Sequence, residues 1–403
     1  MKTCLLLLCL CLSVVSPAAR ARDASFADFN TRAKNGEHLT VIFFGGSLTW
    51  GAQATDPVET SYRAVIARHF RKHYPNAHFT FRDAAIGGEG SQLGVFRLER
   101  DVLRHKPDLI FLDFTVNDGP YDKPNPDRLA AYESLVWRIV EAGVPLVQVS
   151  FALKNDMPPA KVKRPLDALH RAIAEAYQVP FSDTIEPLRA EVTAGKVTPD
   201  QLWPIAGDNT HPGDDGYRLY ADAVWNTFLE AAKAGTVCRL PGEMIHAPTF
   251  RTVLRLELAD EKSQPEGWSV GLPNRSAIAH DFVPSRWMDR VVVGGAAESA
   301  APVPLVFKVK AAKVFLFGES TPNSGKLEVR VNGKKTGLLN LGALSAHGNL
   351  RYFGAVPGPF SEGETVTLEL VPVLEPKQEI RLNSLCVAGK GAEVHPTPST
   401  PNR

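Results

Sequence analysis

Cysteine and methionine are scarce, five and four in 403 residues. Cys4, Cys9 and Cys11 crowd the extreme N-terminus, so only Cys238 and Cys386 remain for the folded chain. That pair leaves two readings open, a disulfide formed in an oxidising compartment or two buried thiols. No Cys/His spacing resembles a metal site, so no metal is expected. An excess of either charge is also missing: 45 Lys and Arg stand against 44 Asp and Glu, a formal net charge of +1. This balance excludes a nucleic-acid binder with a broad basic face, and there is no like-charge run long enough for an interaction tail. Internal repeats are absent. Leu5 to Val15 is an apolar run too short to cross a bilayer comfortably.

The composition is 44% hydrophobic and 22% charged, that of an ordinary globular protein with ample core material. At a prior of roughly 150 residues per domain, two or three domains are expected. Met1-Lys2, the apolar run and the small residues of Ser16-Pro17-Ala18-Ala19-Arg20-Ala21 read as a cleavable signal over residues 1–21, cut after Ala18 or Ala21. The residues before Cys9 and Cys11 lack the small-residue pattern of a lipoprotein site. A secreted or periplasmic protein is expected, with no stable membrane insertion after cleavage.

Residues 24–235 alternate strand-like and helical runs. Strands are expected at His38 to Phe44, His78 to Ile86, Asp108 to Phe114, Pro145 to Phe151 and Val179 to Ser182. Between them, Leu129, Tyr132, Val136, Ile139 and Val140 share one helical face, as do Leu166, Leu169, Ile173 and Tyr177. Tyr217, Tyr220, Val224 and Phe228 repeat the pattern in the last helix. Apolar strands separated by amphipathic helices imply a parallel sheet covered on both faces, a three-layer α/β/α domain. Residues 236–248 have the Pro and Gly content of a linker. Short strands with frequent turns fill 249–390, including alternating Leu327-Glu328-Val329-Arg330-Val331 and the hairpin signal Asn332-Gly333, and imply a β-sandwich or jelly roll. The Pro-rich tail, 391–403, is expected to be disordered. Asn274-Arg275-Ser276 fits a glycosylation acceptor.

The strand ending in Phe43-Phe44-Gly45-Gly46 would deliver Ser47 to the carboxyl edge of the sheet, where open α/β sheets bind ligands. A serine hydroxyl is a poor nucleophile until a base takes its proton, and imidazole does so near neutral pH. Asp208-Asn209-Thr210-His211 carries a base and a carboxylate on one loop, spaced so that Asp208 can orient His211. Gly87-Gly88-Glu89-Gly90-Ser91 closes the second strand, and the Gly88 amide there is a candidate oxyanion donor. Asn117, in Phe114-Thr115-Val116-Asn117-Asp118 after the third strand, offers a second.

These blocks, in this order, resemble the SGNH (GDSL-type) hydrolase superfamily over roughly Leu39 to Ala234. The resemblance implies a flavodoxin-like sheet, Ser47 as nucleophile, His211 as base and Asp208 orienting it. It further implies an oxyanion hole from Ser47 N–H, Gly88 N–H and the Asn117 side chain, with no metal or organic cofactor. Two positions depart from the pattern: Gly46 stands where the family usually has Asp, and Thr115 where it usually has Gly. Trp50, Trp203 and Asn155 are candidates to line the substrate, against core packing as the favoured role of the two tryptophans and a solvated loop as that of Asn155, while Asp118 and His170 read as structural.

The expectation is a secreted serine esterase acting on acetyl or other short acyl esters, most readily on carbohydrate, which is the partner that secretion and an appended β-rich domain suggest. The alternatives are a lipase, lysophospholipase or thioesterase, an acyltransferase on the same residues, or a glycan-binding protein. None of the matching blocks lies beyond Gly235, so activity on a small ester is expected to survive without the β-rich region.

Overall fold

The computed structural model describes residues 23–119, 123–159, 164–261, 264–274, 287–295, 301–342 and 350–397. The expected signal peptide, Arg275 and Ser276 of the glycosylation acceptor, and 398–403 of the tail lie outside them. The described chain starts with β1 (Ala24–Ser25), whose Ser25 hydroxyl accepts from Asp28 N–H and caps α1 (Phe26–Lys34). There follow β2 (His38–Gly45), α2 (Ser47–Trp50), α3 (Tyr62–His73), β3 (His78–Asp83), α4 (Ser91–Arg97), β4 (Leu109–Asp113), α5 (Pro126–Glu141) and β5 (Leu146–Ser150). The domain is completed by α6 (Pro165–Ala176), β6 (Phe181–Asp183), α7 (Ile185–Thr193), α8 (Pro199–Leu202) and α9 (Asp214–Ala234).

Strands β2 to β6 form a parallel sheet in the order β3-β2-β4-β5-β6. Every residue of β4 and β5 is buried, because helices cover both faces of a parallel sheet. The chain leaves β2 for β3 on one side and then crosses to β4 on the other. This is the topological switch point of a flavodoxin-like sheet, and the crevice for a ligand lies at the carboxyl ends of the strands there.

The second domain contains β8 (Val253–Glu257), β9 (Trp268–Gly271), β10 (Val291–Gly294), β11 (Leu305–Lys310), β12 (Lys313–Ser320) and β13 (Lys326–Val331), with β7 (Val237–Cys238) preceding it. It continues through β14 (Lys334–Asn340), β15 (Leu350–Ala355), β16 (Thr365–Val373), β17 (Ile380–Ala388) and β18 (Glu393–Pro396). Two antiparallel sheets result, β15-β12-β17-β10-β9 with β8 also on β17, and β14-β13-β16-β11-β18. Leu327, Val329 and Val331 point inward from β13 into the sandwich core, as their alternation requires. Asn332 and Gly333 both take positive φ, 50° and 76°, and turn β13 into β14.

Three expectations give way, and the open choice at the cysteine pair is decided. The stretch 236–248 is no free tether: β7 pairs with β1, Arg239 N–H donates to Tyr177 O, and Glu133 on α5 binds Ile245 and His246. The tail is ordered as far as β18, because Glu393 to Pro396 pair with the edge of β11 and Val394 is buried in the sandwich core. Cys238 and Cys386 are both free buried thiols, and burial pushes them up to about 11 and about 12. Finally, the β domain is not an independent appendage. One apolar cluster runs from the α/β core through Phe96 and Phe250 to Trp287, Val291, Phe315 and Phe317. Phe96 lies 5.7 Å from Phe315 and 6.3 Å from Phe353 between ring centroids. Ending the chain at Gly235 would expose this shared core, so a small-ester activity independent of the β domain is no longer expected.

The Glu133 anchor carries a test. Its buried carboxylate accepts from Ile245 N–H (2.7 Å), His246 N–H (2.7 Å), His246 Nδ1 (2.8 Å) and the Tyr177 hydroxyl (2.8 Å). Burial alone would raise its pKa, but these bonds, that of the His246 side chain first, hold it below the ordinary glutamate value of 4.5. A depressed folded-state value gives stability that is complete above pH 4.5 and is lost as the pH falls through the lower folded value. Glu133→Gln should therefore cost roughly 1–3 kcal/mol in urea unfolding at neutral pH. The deficit should shrink when the same unfolding is repeated at pH below 4.5.

Candidate active site

Strand β2 ends at Gly45, and Gly46 opens α2 in an extended conformation (φ −98°, ψ −154°), so Ser47 becomes the first residue of a short helix. The opposing loop is held from several sides. Asp208 Oδ1 accepts from Thr210 N–H and His211 N–H, both at 3.0 Å. Lys154 N–H donates to Asn209 O (2.9 Å) and the Trp203 indole to Thr210 O (3.3 Å). Pro212 then leads into α9, where a side chain at Gly216 would strike the Pro212 ring at 2.5 Å.

The two segments meet through hydrogen bonds. Ser47 Oγ lies 2.7 Å from His211 Nε2, and His211 Nδ1 lies 2.8 Å from Asp208 Oδ2. A carboxylate can only accept, so Nδ1 carries the proton and Nε2 offers its lone pair to the Ser47 hydroxyl. Burial would raise the Asp208 carboxyl, but the bonds from the His211 backbone and ring, the His211 charge and Thr210 N–H outweigh it and hold it below 3.8. Gln53, at φ 70°, adds a long 3.5 Å contact to Asp208 Oδ2. Asp214 ties the loop between α2 and α3 to α9, accepting from Thr55 N–H (2.9 Å) and from the Thr60 hydroxyl (2.8 Å). Neither Gln53 nor Asp214 carries a local signal in the sequence.

The turns after β3 and β4 close on the same point. A Cβ at Gly46 would stand 2.2 Å from Asn117 Oδ1 and 3.5 Å from Glu89 O. The Asn117 side chain thus occupies the space into which a residue at 46 would project, which gives the departure from Asp a physical reason. Thr115, the other departure, is also accounted for: its N–H (3.2 Å) and hydroxyl (2.9 Å) donate to Asp113 Oδ1 at the end of β4. Burial pushes the Asp113 carboxyl up to about 7 against these bonds. Asp118 is likewise pushed up by burial to about 7 and accepts from Ser91 N–H at 2.8 Å. Gly88 sits at the exposed tip of its turn with φ +66°, a left-handed conformation that suits glycine.

The remaining candidates separate. Trp203 is fully buried beneath the Asp208 loop, so it supports that loop and does not line a substrate site. Trp50 is half-buried at the end of α2, with Arg63 Nε on its carbonyl (3.2 Å). Asn155 is exposed on the turn that follows the Lys154–Asn209 contact. His170 is buried against the Tyr132 ring at 3.9 Å, and burial pushes it down to about 3. Among the described residues, no group of three or more His, Cys, Asp or Glu side chains could hold a metal ion. No helix among them is long and apolar enough to cross a membrane.

A hydroxyl, an imidazole and a carboxylate in one relay, beside turns rich in backbone donors, are suited to acyl transfer. Residues 43–219 match the model of the GDSL-like lipase/acylhydrolase family. The α/β domain belongs to that family. This GDSL-like domain makes the chain an ester hydrolase of the SGNH type. A two-domain esterase active on acetylated mannans superposes with a TM-score of 0.72 at 21% identity, over 91% of this chain and 95% of its own. A second structure of such an esterase, co-crystallised with mannopentaose, gives 0.71 at 22%, covering 90% and 94%. At these identities the likeness speaks for the fold, and it extends over both domains. Among curated protein sequences, none matches this chain.

The crowding at Gly46 can be tested in the GDSL-like domain directly. Gly46→Ala should leave the fold intact, since the atom in the way is the end of a side chain, but it should turn the Asn117 amide aside. Ester turnover should fall roughly tenfold or more for a displacement of that size. A crystal structure of the variant would show whether Asn117 has moved.

Proposed function

We propose that the chain is a secreted serine esterase that removes acetyl or other short acyl groups from carbohydrate. The observation that carries the reading is the relay from Ser47 through His211 to Asp208, with bonds of 2.7 and 2.8 Å, at the switch point of the sheet. Ser47 Oγ attacks the ester carbonyl carbon while His211 Nε2 takes its proton. The tetrahedral oxyanion is received by Ser47 N–H, Gly88 N–H and the Asn117 amide. The imidazolium then passes its proton to the departing sugar oxygen, and an acyl-enzyme remains. Water, deprotonated by the same nitrogen, releases the carboxylic acid and restores Ser47. Asp208 stays ionised throughout, because its carboxyl is held below the ordinary 3.8, and its charge stabilises the imidazolium.

Carbohydrate as the alcohol is supported by the two-domain likeness, since the protein it resembles is described as active on acetylated mannans. Secretion rests on the basic, apolar and small-residue succession of residues 1–21.

Ser47→Ala should lower ester hydrolysis by roughly three or more orders of magnitude in a folded protein. The wild type should be assayed beside it on acetylated polysaccharides, acetylated monosaccharides and longer-chain p-nitrophenyl esters. Acetate released from the glycans, with weak turnover of long-chain esters, is the expected result. A preference for long acyl chains would move the assignment to a lipase or thioesterase, and undiminished turnover by Ser47→Ala would remove the proposed nucleophile.

A further inference from the structure

The β domain reaches the proposed oxyanion hole itself. Arg351, on β15, stands opposite Glu319 of β12 in the antiparallel ladder, and its Nη2 donates to the carbonyl oxygen of Gly88. We propose that Arg351 is a positioning residue for ester hydrolysis, holding the turn after β3 so that Gly88 N–H faces the developing oxyanion. The inference rests on the serine-esterase reading of the site.

Gly88 O and Glu89 N–H belong to the same peptide unit, so whatever fixes both ends fixes the rotation of the chain on the C-terminal side of Gly88. The Glu89 end is held by a single long bond to Ile86 O, 3.3 Å. The Gly88 end is held by Arg351. Gly88 lies at φ +66° without a side chain, on an exposed tip, so this is a residue with wide conformational freedom to lose. The flank is rigid: the buried Glu89 carboxylate pairs with Arg97, which also donates to Ala84 O (3.0 Å) and to Asp101 (2.8 Å). Arg351 therefore fixes the peptide plane that follows Gly88, and the Gly88 N–H, on the preceding plane and one φ rotation away, is constrained through it.

Other bridges between the domains have a different geometry. Arg100 joins Trp287 O (3.2 Å) and Asp289 (2.8 Å), and Lys313 joins Asp127 (2.6 Å). These contacts end on helical or neighbouring segments and account for docking. Arg351 ends on a turn of the site, and its guanidinium is a charge-assisted donor, about twice as strong as a neutral one.

A donor displaced by a fraction of an ångström weakens the transition state and leaves ground-state binding of the ester almost untouched. Arg351→Ala and Arg351→Lys in the full chain are the test, with p-nitrophenyl acetate as substrate and phenylboronic acid as a probe that forms a tetrahedral adduct on the nucleophile. The expected result for Arg351→Ala is a kcat lower by roughly tenfold to a hundredfold, KM within about twofold of wild type, and boronate affinity weakened by a similar factor to kcat. Arg351→Lys should recover part of both losses. If alanine prevents folding, Arg351→Gln, a polar side chain two bonds too short to keep the bond to Gly88 O, is read in the same way. A folded variant with kcat within about twofold of wild type overturns the proposal, as does a kcat loss that leaves boronate affinity unchanged. Ser47→Ala, assayed alongside, separates this outcome from failure of the esterase reading, since it tests the nucleophile and not the turn.

Discussion

The carboxyl edge of the sheet is arranged around the absence of a side chain at position 46. Three turns, those after β2, β3 and β4, converge there, and a single Cβ would meet both Asn117 and the Glu89 carbonyl. Because that space is left open, Ser47 can start its helix directly after β2 while the Asn117 side chain lies beside it. Gly88, at the tip of the turn after β3, takes the left-handed φ of +66° that suits glycine. The relay to His211 is the other half of the arrangement. It comes from a loop that the sheet does not carry and that backbone bonds from Lys154 and the buried Trp203 hold in place.

The β domain belongs to this arrangement physically. A charged chain runs from Glu89 through Arg97 and Asp101 to Arg100 and on to Asp289, crossing from one domain to the other. The Arg97 guanidinium is fully buried between Phe44 at the end of β2 and Trp287, 5.5 and 4.4 Å from their ring centroids. Removing one partner from such a pair leaves an uncompensated charge in the interior, typically a cost of about 3–5 kcal/mol. The same buried arginine therefore couples the turn behind the proposed oxyanion hole to the docking of the second domain. A chain in which a turn of the candidate site is bonded from another domain differs from a module with a detachable binding module, even if the order of segments looks the same.

Much of this was legible in the sequence where signals are local. The parallel strands, the helices on α5 and α9, the Asn332-Gly333 hairpin and the resemblance to the SGNH superfamily each reside in a short run of residues. Ser47 and His211, although 164 positions apart, could be paired because each sits in its own recognisable block. What escaped was long-range and carried by single side chains: Gln53 on Asp208, Asp214 on Thr55 and Thr60, and Arg351 on Gly88, 263 positions away. For Trp203 the sequence left two roles open with core packing favoured, since a tryptophan near such a loop can line a cleft or fill a core, and its full burial decides for the core. The strand at Glu393 to Pro396 was hidden by the prolines around it, with Val394 the one apolar residue it buries. The departures at Gly46 and Thr115 acquire reasons once their neighbours are seen, Asn117 for the first and Asp113 for the second.

The central claim is that the hydroxyl bonded to His211 is the bond-forming atom. Labelling of the full chain with a fluorophosphonate, followed by peptide mapping in a mass spectrometer, tests it most directly, because the reagent is captured by an activated serine and ignores ordinary ones. The account predicts one adduct per chain, on the peptide containing Ser47, formed in step with the loss of ester hydrolysis. An adduct on a different residue, or complete inhibition with Ser47 unmodified, would contradict it.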